Sequence, residues 1–242
     1  MKVLGVIGGM GPAASQLFYS MIIENTEASG DQEHLDIILV SRASMPDRTG
    51  LLLSGGREIL FEKLLSDAKY LENSGAAAIA IPCNTAHALA GELQAELRIP
   101  IINMVREASA ETDARFSRMH AAKPAKIAIL GTDGTIRSEL YQRELEKRGL
   151  AFFLPSAENQ KRVMEIIYDG IKKGKETDYA DFAAVEAELQ LAECDSAIIA
   201  CTELSCFRRT HRLSGFYIDA MEILARKSIV FCGKPLRKSK NI

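Results

Sequence analysis

The fold is decided by two matching stretches, Ala77-Ala-Ile-Ala-Ile-Pro-Cys-Asn-Thr85 and Ser196-Ala-Ile-Ile-Ala-Cys-Thr202. Each is an apolar, strand-like run that ends at a cysteine and then a hydroxyl-bearing residue. A second pair of stretches, Lys2-Val-Leu-Gly-Val-Ile-Gly-Gly-Met-Gly11 and Lys126-Ile-Ala-Ile-Leu-Gly-Thr-Asp-Gly134, precedes the first pair in the same order. Each of these contains a strand, a glycine turn and the start of a helix. Two ordered pairs at nearly the same offset indicate a duplicated α/β unit.

Around these stretches, short apolar runs alternate with longer helical patterns along the chain. Alternation of this kind is typical of parallel sheets joined by right-handed crossover helices. Runs that are apolar throughout indicate strands buried on both faces. The sequence predicts strands over 3–7, 36–40, 77–81, 99–102, 126–130, 151–154 and 197–200, and helices over 13–28, 56–73, 136–148, 159–172 and 181–192.

The duplication predicts an α/β fold of two pseudo-symmetric domains, each a parallel sheet flanked by helices. Ligands of such sheets bind at the carboxyl ends of the strands. The active site is therefore expected in the cleft between the domains, where Cys83 and Cys201 would face each other.

Composition and charge narrow the classes of partner. With 30 Lys and Arg against 32 Asp and Glu, the net charge of −2 provides no field that would gather nucleic acid or anionic lipid. No stretch approaches the ~20 apolar residues of a membrane span. The near-neutral charge makes a small-molecule substrate the expected partner. The five cysteines are odd in number and scattered, which favours reduced thiols in a cytoplasmic protein. The basic tail 233–242 is expected to be a solvated, partly disordered terminus.

The two repeated cysteines suit acid/base chemistry. A thiol between a strand end and a helix start lies near backbone N–H groups that favour the thiolate and bind anions. Asn84, Thr85 and Thr202 are suited to capping those helices and to donating hydrogen bonds to a carboxylate. A lone cysteine there would more often be a small buried hydrophobe, but the duplication favours function. Inversion at a carbon requires a base on one face and an acid on the other, which a thiolate/thiol pair supplies.

Four motifs then resemble those of the aspartate racemase branch of the aspartate/glutamate racemase superfamily: Gly8-Gly-Met-Gly-Pro12, Pro82-Cys-Asn-Thr-Ala-His87, Gly131-Thr-Asp-Gly-Thr135 with Ser138 and Tyr141, and Cys201-Thr-Glu-Leu-Ser205. The resemblance covers nearly the whole chain. It implies an amino-acid racemase that needs no pyridoxal phosphate or other cofactor, with Cys83 and Cys201 as the catalytic pair. It also implies a homodimer, a first domain over 1–102 plus a C-terminal segment 216–242 that returns to it, and a second domain over 103–215.

The same resemblance suggests the residues that contact substrate. It places Met10 beside the substrate and makes Arg48 and Lys172 candidate partners of its carboxylates. From the residues alone, Arg48 could equally be a solvated surface charge, and Lys172 could merely complement a helix dipole. His87, one helical turn after Cys83, is either a packed helix residue or a support for the site. The full set of expected substrate contacts is Met10, Arg48, Asn84, Thr85, Lys172, Thr202 and Glu203.

Substrate identity is narrowed by two of these motifs. In glutamate racemases, the motif at the second cysteine resembles Cys-Thr-His and the opening motif resembles Asp-Ser-Gly. This chain has Cys-Thr-Glu203 at the second cysteine and opens with Gly-Gly-Met. The expected reaction is interconversion of L- and D-aspartate, with glutamate as a second possible substrate. The alternatives are a related isomerase or decarboxylase of a small dicarboxylic acid, and a non-catalytic protein that binds an acidic metabolite. A metal site is not expected, because the cysteine spacings match no zinc motif.

Overall fold

Two four-stranded parallel sheets form the centre of the protein in the computed structural model, which describes residues 2–116 and 123–238. The first sheet has the strand order β2-β1-β3-β4 and the second has the order β6-β5-β7-β8. The two orders are equivalent strand by strand, so the predicted α/β fold with two pseudo-symmetric halves is confirmed. The strands are β1 Leu4–Gly8, β2 Ile37–Ser41, β3 Ala78–Ala80, β4 Ile101–Ile102, β5 Lys126–Gly131, β6 Ala151–Phe153, β7 Ser196–Ala200 and β8 Tyr217–Asp219.

Helices cover both faces of each sheet. Within the described ranges, none of them has the length and apolar character needed to cross a bilayer. The helices are α1 Pro12–Asn25, α2 Arg48–Ser54, α3 Arg57–Asn73, α4 Ala90–Ala95, α5 Met104–Phe116, α6 Asp133–Arg137, α7 Leu140–Glu146, α8 Ala157–Glu165, α9 Ala180–Leu191, α10 Thr202–His211 and α11 Ala220–Phe231.

All seven predicted strands are present, but two predicted helices differ from the sequence expectation. The single helix expected over 136–148 is divided into α6 and α7, because Glu139 adopts a left-handed conformation with φ of 53°. The helix expected over 159–172 ends as α8 at Glu165 and continues as a π-helical turn, Ile166–Gly170, and a 3₁₀ turn, Ile171–Lys173. This change of pitch positions Lys172.

The domain division predicted from the resemblance requires one correction. It placed residues 216–242 in the first domain, yet β8 pairs in parallel with β7 in the second sheet, with Ala197 opposite Tyr217. A three-residue strand carries too little pattern to be recognised from sequence. We therefore propose that the segment belonging to the first domain begins at Ala220, the first residue of α11.

The C-terminal segment does return to the first half. Helix α11 packs against α1 and α5. Beyond α11, the backbone of residues 235–237 hydrogen-bonds to that of residues 25–27, so this part of the basic tail is attached to the body of the protein and is not a free terminus. Residues 239–242 of the predicted tail lie outside the described residues.

The last helix of each half crosses to the other half. Helix α5, which follows β4, packs against α7 and β8 of the second half, while α11 packs against α1 of the first. One apolar cluster joins the halves, and it includes Leu4 and Val6 of β1, Ile127 of β5 and Met221 of α11. Separate clusters cover the outer faces of the two sheets. This exchange of helices fixes how the carboxyl ends of the two sheets lie relative to each other.

A direct contact between the halves lies beside the strand ends. The hydroxyl of Thr85 is 2.9 Å from that of Thr132 and 3.0 Å from that of Thr135. Gly134 of α6 packs so closely on the first half that an added Cβ would lie 2.9 Å from Thr49 Oγ1 and 3.0 Å from the Cα atom of Thr49. The absence of a side chain at Gly134 thus permits the halves to approach.

Substitution of Gly134 by alanine should therefore destabilise the protein. Overpacking costs about 1–3 kcal/mol, which exceeds the roughly 0.5–1 kcal/mol that alanine gains in a helix. The control is Gly91→Ala in α4, where a Cβ would meet no atom within 4 Å and stability should rise slightly. Urea denaturation measures both free energies of unfolding. A Gly134→Ala protein at least as stable as the native one would show that this approach is not tight.

Candidate active site

The two repeated cysteines lie at equivalent positions of the two sheets and line one cavity. Cys83 follows β3, and Cys201 directly follows β7 as the N-cap of α10. Their side chains are buried, with 5% and 4% of their surface exposed. The cavity has a volume of about 260 Å³, and all nine residues expected at the site from the sequence are among those that line it: Met10, Asp47, Arg48, Thr49, Cys83, Asn84, Thr85, Thr132, Lys172, Cys201, Thr202 and Glu203.

Arg48 places a positive charge beside Cys83. It is the first residue of α2, is only 8% exposed, and lies close enough to Cys83 for the two side chains to interact electrostatically. Its Nη2 atom donates to the carbonyl oxygen of Met10 at 2.9 Å, while its Nε is buried without a partner. Burial opposes the charge, but the nearby Cys83, Asp47 and Glu203 raise the pKa of Arg48 above its ordinary value. The alternative of a solvated surface charge is therefore wrong.

Glu203 places a negative charge beside Cys201. The thiol of Cys201 donates to Oε2 of Glu203 at 3.1 Å, and the hydroxyl of Thr202 donates to the same oxygen at 3.3 Å. The side chain of Glu203 is 5% exposed. Burial first, and then the charge and hydrogen bond of Glu203, raise the pKa of the Cys201 thiol well above its usual range. Cys201 is therefore a protonated thiol in this arrangement.

Asn84 has an amide whose orientation is set by a residue of the second half. Its Oδ1 accepts a hydrogen bond of 2.5 Å from the hydroxyl of Tyr141, so its Nδ2 faces away from that contact and is buried without a partner. Helix capping, which the sequence suggested for three residues, is wrong. The side chains of Asn84, Thr85 and Thr202 bond to Tyr141, to the Thr132–Thr135 pair and to Glu203 instead.

Lys172 reaches across the cleft to the first half. Its Nζ atom is 3.2 Å from Oδ1 of Asp47 and lies 3.6 Å from the ring centroid of Tyr168. Burial would lower the pKa of Lys172, but Glu203, Tyr168 and Asp47 raise it above its ordinary value. The neighbouring Lys173 pairs with Asp169 at the surface. Lys172 is thus a cation of the site, and the interpretation that it merely complements a helix dipole is wrong.

His87 is a structural residue. It is 4% exposed, and burial lowers its pKa to about 4, so it is neutral. The backbone N–H of Met104 donates to its Nε2 at 3.0 Å, which leaves the ring proton on Nδ1 to be donated to the carbonyl oxygen of Cys83 at 2.9 Å. His87 therefore anchors the turn that carries Cys83, and it does not line the cavity.

Several residues at the site were not predicted from the sequence. Asp47 is the N-cap of α2, accepts a hydrogen bond from Gly50, and pairs with Lys172 and the hydroxyl of Tyr168. The repeat could have indicated Thr132, because its turn is the counterpart of the glycine turn that carries Met10. A local signal for Asp47 also exists, since aspartate before a short helix is a typical N-cap. No local signal could have paired Asp47 with Tyr168 and Lys172.

The remaining cysteines lie away from the cavity and, like Cys83 and Cys201, form no disulfide. Burial raises the pKa of Cys194 to about 11 and that of Cys206 to about 12, so these thiols are protonated. Among residues 2–116 and 123–238, no three His, Cys, Asp or Glu side chains form a group that could hold a metal ion.

A wider cavity of about 700 Å³ adjoins the inner one and forms its mouth. Gly11, Pro12 and Ile171 line only the mouth, whereas Asp47, Arg48, Lys172 and Glu203 line both cavities. The charged side chains of the site thus lie between the two thiols and the outside.

The chain is similar to several racemases. It is 30% identical to the broad-specificity amino-acid racemase RacX of Bacillus subtilis over 151 residues, which is 61% of this chain and 62% of RacX, so the match spans less than two thirds of that relative. Among solved structures, the aspartate racemase of Picrophilus torridus superposes with a TM-score of 0.82 and 26% identity, over 98% of this chain and 97% of that one. An aspartate racemase homologue from Pyrococcus horikoshii superposes with a TM-score of 0.76 and 25% identity, over 96% of this chain and 100% of that one.

The family comparison covers almost all of the chain. The family described as Asp/Glu/Hydantoin racemase matches residues 7–227, which include the second sheet, all of the first sheet except the start of β1, both cavity-lining cysteines and every other residue of the site. On this match and the agreement of fold, the chain belongs to the Asp/Glu/Hydantoin racemase family.

Proposed function

We propose that the protein is a cofactor-independent racemase that interconverts the enantiomers of an acidic amino acid, aspartate first and glutamate second. The observation that carries this proposal is the placement of two thiols at equivalent strand ends of a duplicated fold, around one buried cavity. Racemisation needs a base on one face of the α-carbon and an acid on the other. A decarboxylase needs no second thiol at the matching position, and neither does a binding protein.

The chemistry follows from the different neighbours of the two thiols. The cation of Arg48 lies near Cys83 and can balance the negative charge of a thiolate there, which supports Cys83 as the base that removes the α-proton from one enantiomer. Cys201, held as a thiol beside Glu203, then delivers its proton to the opposite face. The roles exchange for the other enantiomer. Because the cavity is narrow and enclosed, little water competes with these charges.

The polar groups of the cavity support a dicarboxylate substrate. Two cations, Arg48 and Lys172, line it together with the unpartnered Nδ2 donor of Asn84. Hydrogen bonds from charged donors to carboxylates are among the stronger ones in proteins. Similarity to the aspartate racemase of Picrophilus torridus supports aspartate as the substrate. Because the relative RacX is named a broad-specificity racemase, a panel of amino acids is the proper test. Met10, Thr85 and Thr202 complete the proposed substrate contacts.

We also propose a cytoplasmic location and a homodimer. Five cysteines without disulfides suit a reducing compartment such as the cytoplasm. A homodimer is proposed from the family resemblance, and analytical ultracentrifugation measures it directly.

A chiral assay of the purified protein tests the activity and the substrate. We expect aspartate to racemise without added pyridoxal phosphate or metal, and glutamate to be the next best substrate. Hydroxylamine and a chelator should leave the rate unchanged, since the two thiols carry both proton transfers. Turnover of neutral amino acids alone would contradict the assigned substrate class, and activity restored only by an added cofactor would contradict the mechanism.

Replacement of either cavity thiol tests the two-base assignment. Cys83→Ser and Cys201→Ser should each lower racemisation by about 10²–10⁴-fold, because a serine hydroxyl is far less acidic than a thiol. Cys194→Ser, outside the cavity, is the matched control. In heavy water, the native enzyme should place deuterium on the α-carbon of the product before it labels the remaining substrate. Near-native turnover by either cavity variant would refute the assignment.

Release of Lys172 from its resting partner tests its role in substrate binding. Asp47→Asn keeps a side chain that can cap α2 but removes the charge that pairs with Lys172. The KM for aspartate should fall by up to about fivefold, which corresponds to the ~1 kcal/mol of a partly exposed ion pair. Asp169→Asn, which releases Lys173, should leave KM unchanged. A higher KM for Asp47→Asn would mean that Asp47 holds Lys172 in place for the substrate.

A further inference from the structure

The carboxylate of Glu203 is buried, and its two oxygens have different surroundings. Oε2 accepts the thiol proton of Cys201 at 3.1 Å. Oε1 is buried without a hydrogen-bond partner. A Cβ added to Gly11, a residue that lines the mouth cavity, would lie 3.6 Å from this Oε1. One oxygen therefore contacts the reactive sulfur, and the other lies on the side of the mouth.

Glu203 also lies between Cys201 and the mouth cavity. Glu203 lines both the inner cavity and the mouth, whereas Cys201 lines only the inner cavity. Tyr141 and Asp219 are two other buried acids in this region. Burial raises the pKa of Tyr141 well above the usual range and its hydroxyl proton is donated to Asn84. Asp219 accepts hydrogen bonds from Ser205 and from the start of α11, and it lines neither cavity.

Three other residues line both cavities, Asp47, Arg48 and Lys172. The two cations carry no acceptor for a thiol proton, and the carboxylate of Asp47 bonds to Gly50, Tyr168 and Lys172.

The two thiols differ in the charge of the side chain beside them. Cys83 has a cation beside it and Cys201 has a carboxylate. After a turnover in which Cys201 has donated its proton, a thiolate remains next to the negative charge of Glu203. The enzyme cannot convert another molecule of the same enantiomer until Cys201 has regained a proton and Cys83 has lost the one it took. A two-base racemase therefore needs a path for protons to the buried Cys201.

We propose that Glu203 is the proton relay of Cys201, and that it returns a proton from water in the mouth cavity to the Cys201 sulfur between turnovers. The carboxylate takes a proton from solvent, and the resulting acid passes it to the thiolate, so that the products are the Cys201 thiol and the Glu203 carboxylate. In the opposite direction, the thiol proton passes to the carboxylate and then to water. The relay rests on the proposed racemase function and assigns Glu203 a role beyond contact with substrate.

Glu203→Gln tests the relay, because the amide keeps the shape of the side chain but cannot carry the proton. Rapid-quench chiral analysis with excess aspartate separates the first turnover from the later ones. In the direction in which Cys201 is the acid, the variant should convert about one substrate molecule per active site at near-native speed. Steady-state turnover should then be slower than native by about 10²-fold or more, which is the usual effect of a lost acid/base group. Both enantiomers are tested as substrate, because Cys201 acts as the acid in the first turnover of only one of them.

Controls separate the relay from other roles. Glu203→Asp keeps a carboxylate and should recover part of the steady-state rate, whereas Glu158→Gln, at the exposed start of α8, should behave as the native protein. A first turnover slowed as much as the later ones, or a raised KM with no burst, would overturn the relay and assign Glu203 to substrate binding or to structure. Native steady-state turnover by Glu203→Gln would overturn it as well. The proposed racemase function fails separately, if the native protein racemises no amino acid.

Discussion

The whole site depends on how the carboxyl ends of two parallel sheets are held against one cavity. The exchange of α5 and α11 between the halves, together with a shared apolar cluster, sets this arrangement. The hydroxyls of Thr85, Thr132 and Thr135 and the close approach at Gly134 then fix the local spacing. Because core packing resists small displacements, groups from distant parts of the chain can be held around the α-carbon of a small substrate.

Enclosure has an electrostatic consequence. Arg48 and Glu203 are almost fully buried, and Lys172 and Asp47 are partly so. Charges in such a setting need nearby partners, because desolvation is costly. Here these four charged side chains are the partners of one another. They are also the groups that a bound dicarboxylate would displace or join. The same surroundings that make an unpaired charge unfavourable strengthen its interaction with a substrate of opposite charge.

Pseudo-symmetry of the scaffold does not extend to the immediate neighbours of the thiols. The sheets match strand for strand, yet Cys83 lies near the cation of Arg48 while the thiol of Cys201 donates to the carboxylate of Glu203. Duplication thus accounts for the positions of the two sulfurs, whereas Arg48 and Glu203 give them opposite electrostatic surroundings.

The sequence by itself determined seven of the eight strands of the described residues and the two thiols, and the resemblance of its motifs supplied or supported nine of the twelve residues that line the cavity. Buried parallel strands are continuous apolar runs, and the repeat marks which strand ends are equivalent. Only the tertiary structure decided which groups meet. Strand β8 has only three residues, and only its pairing with β7 identifies it. Asn84 bonds to Tyr141 across 57 residues and Asp47 bonds to Lys172 across 125. These contacts arise when the halves dock, because their geometry depends on packing between segments that are distant in the chain.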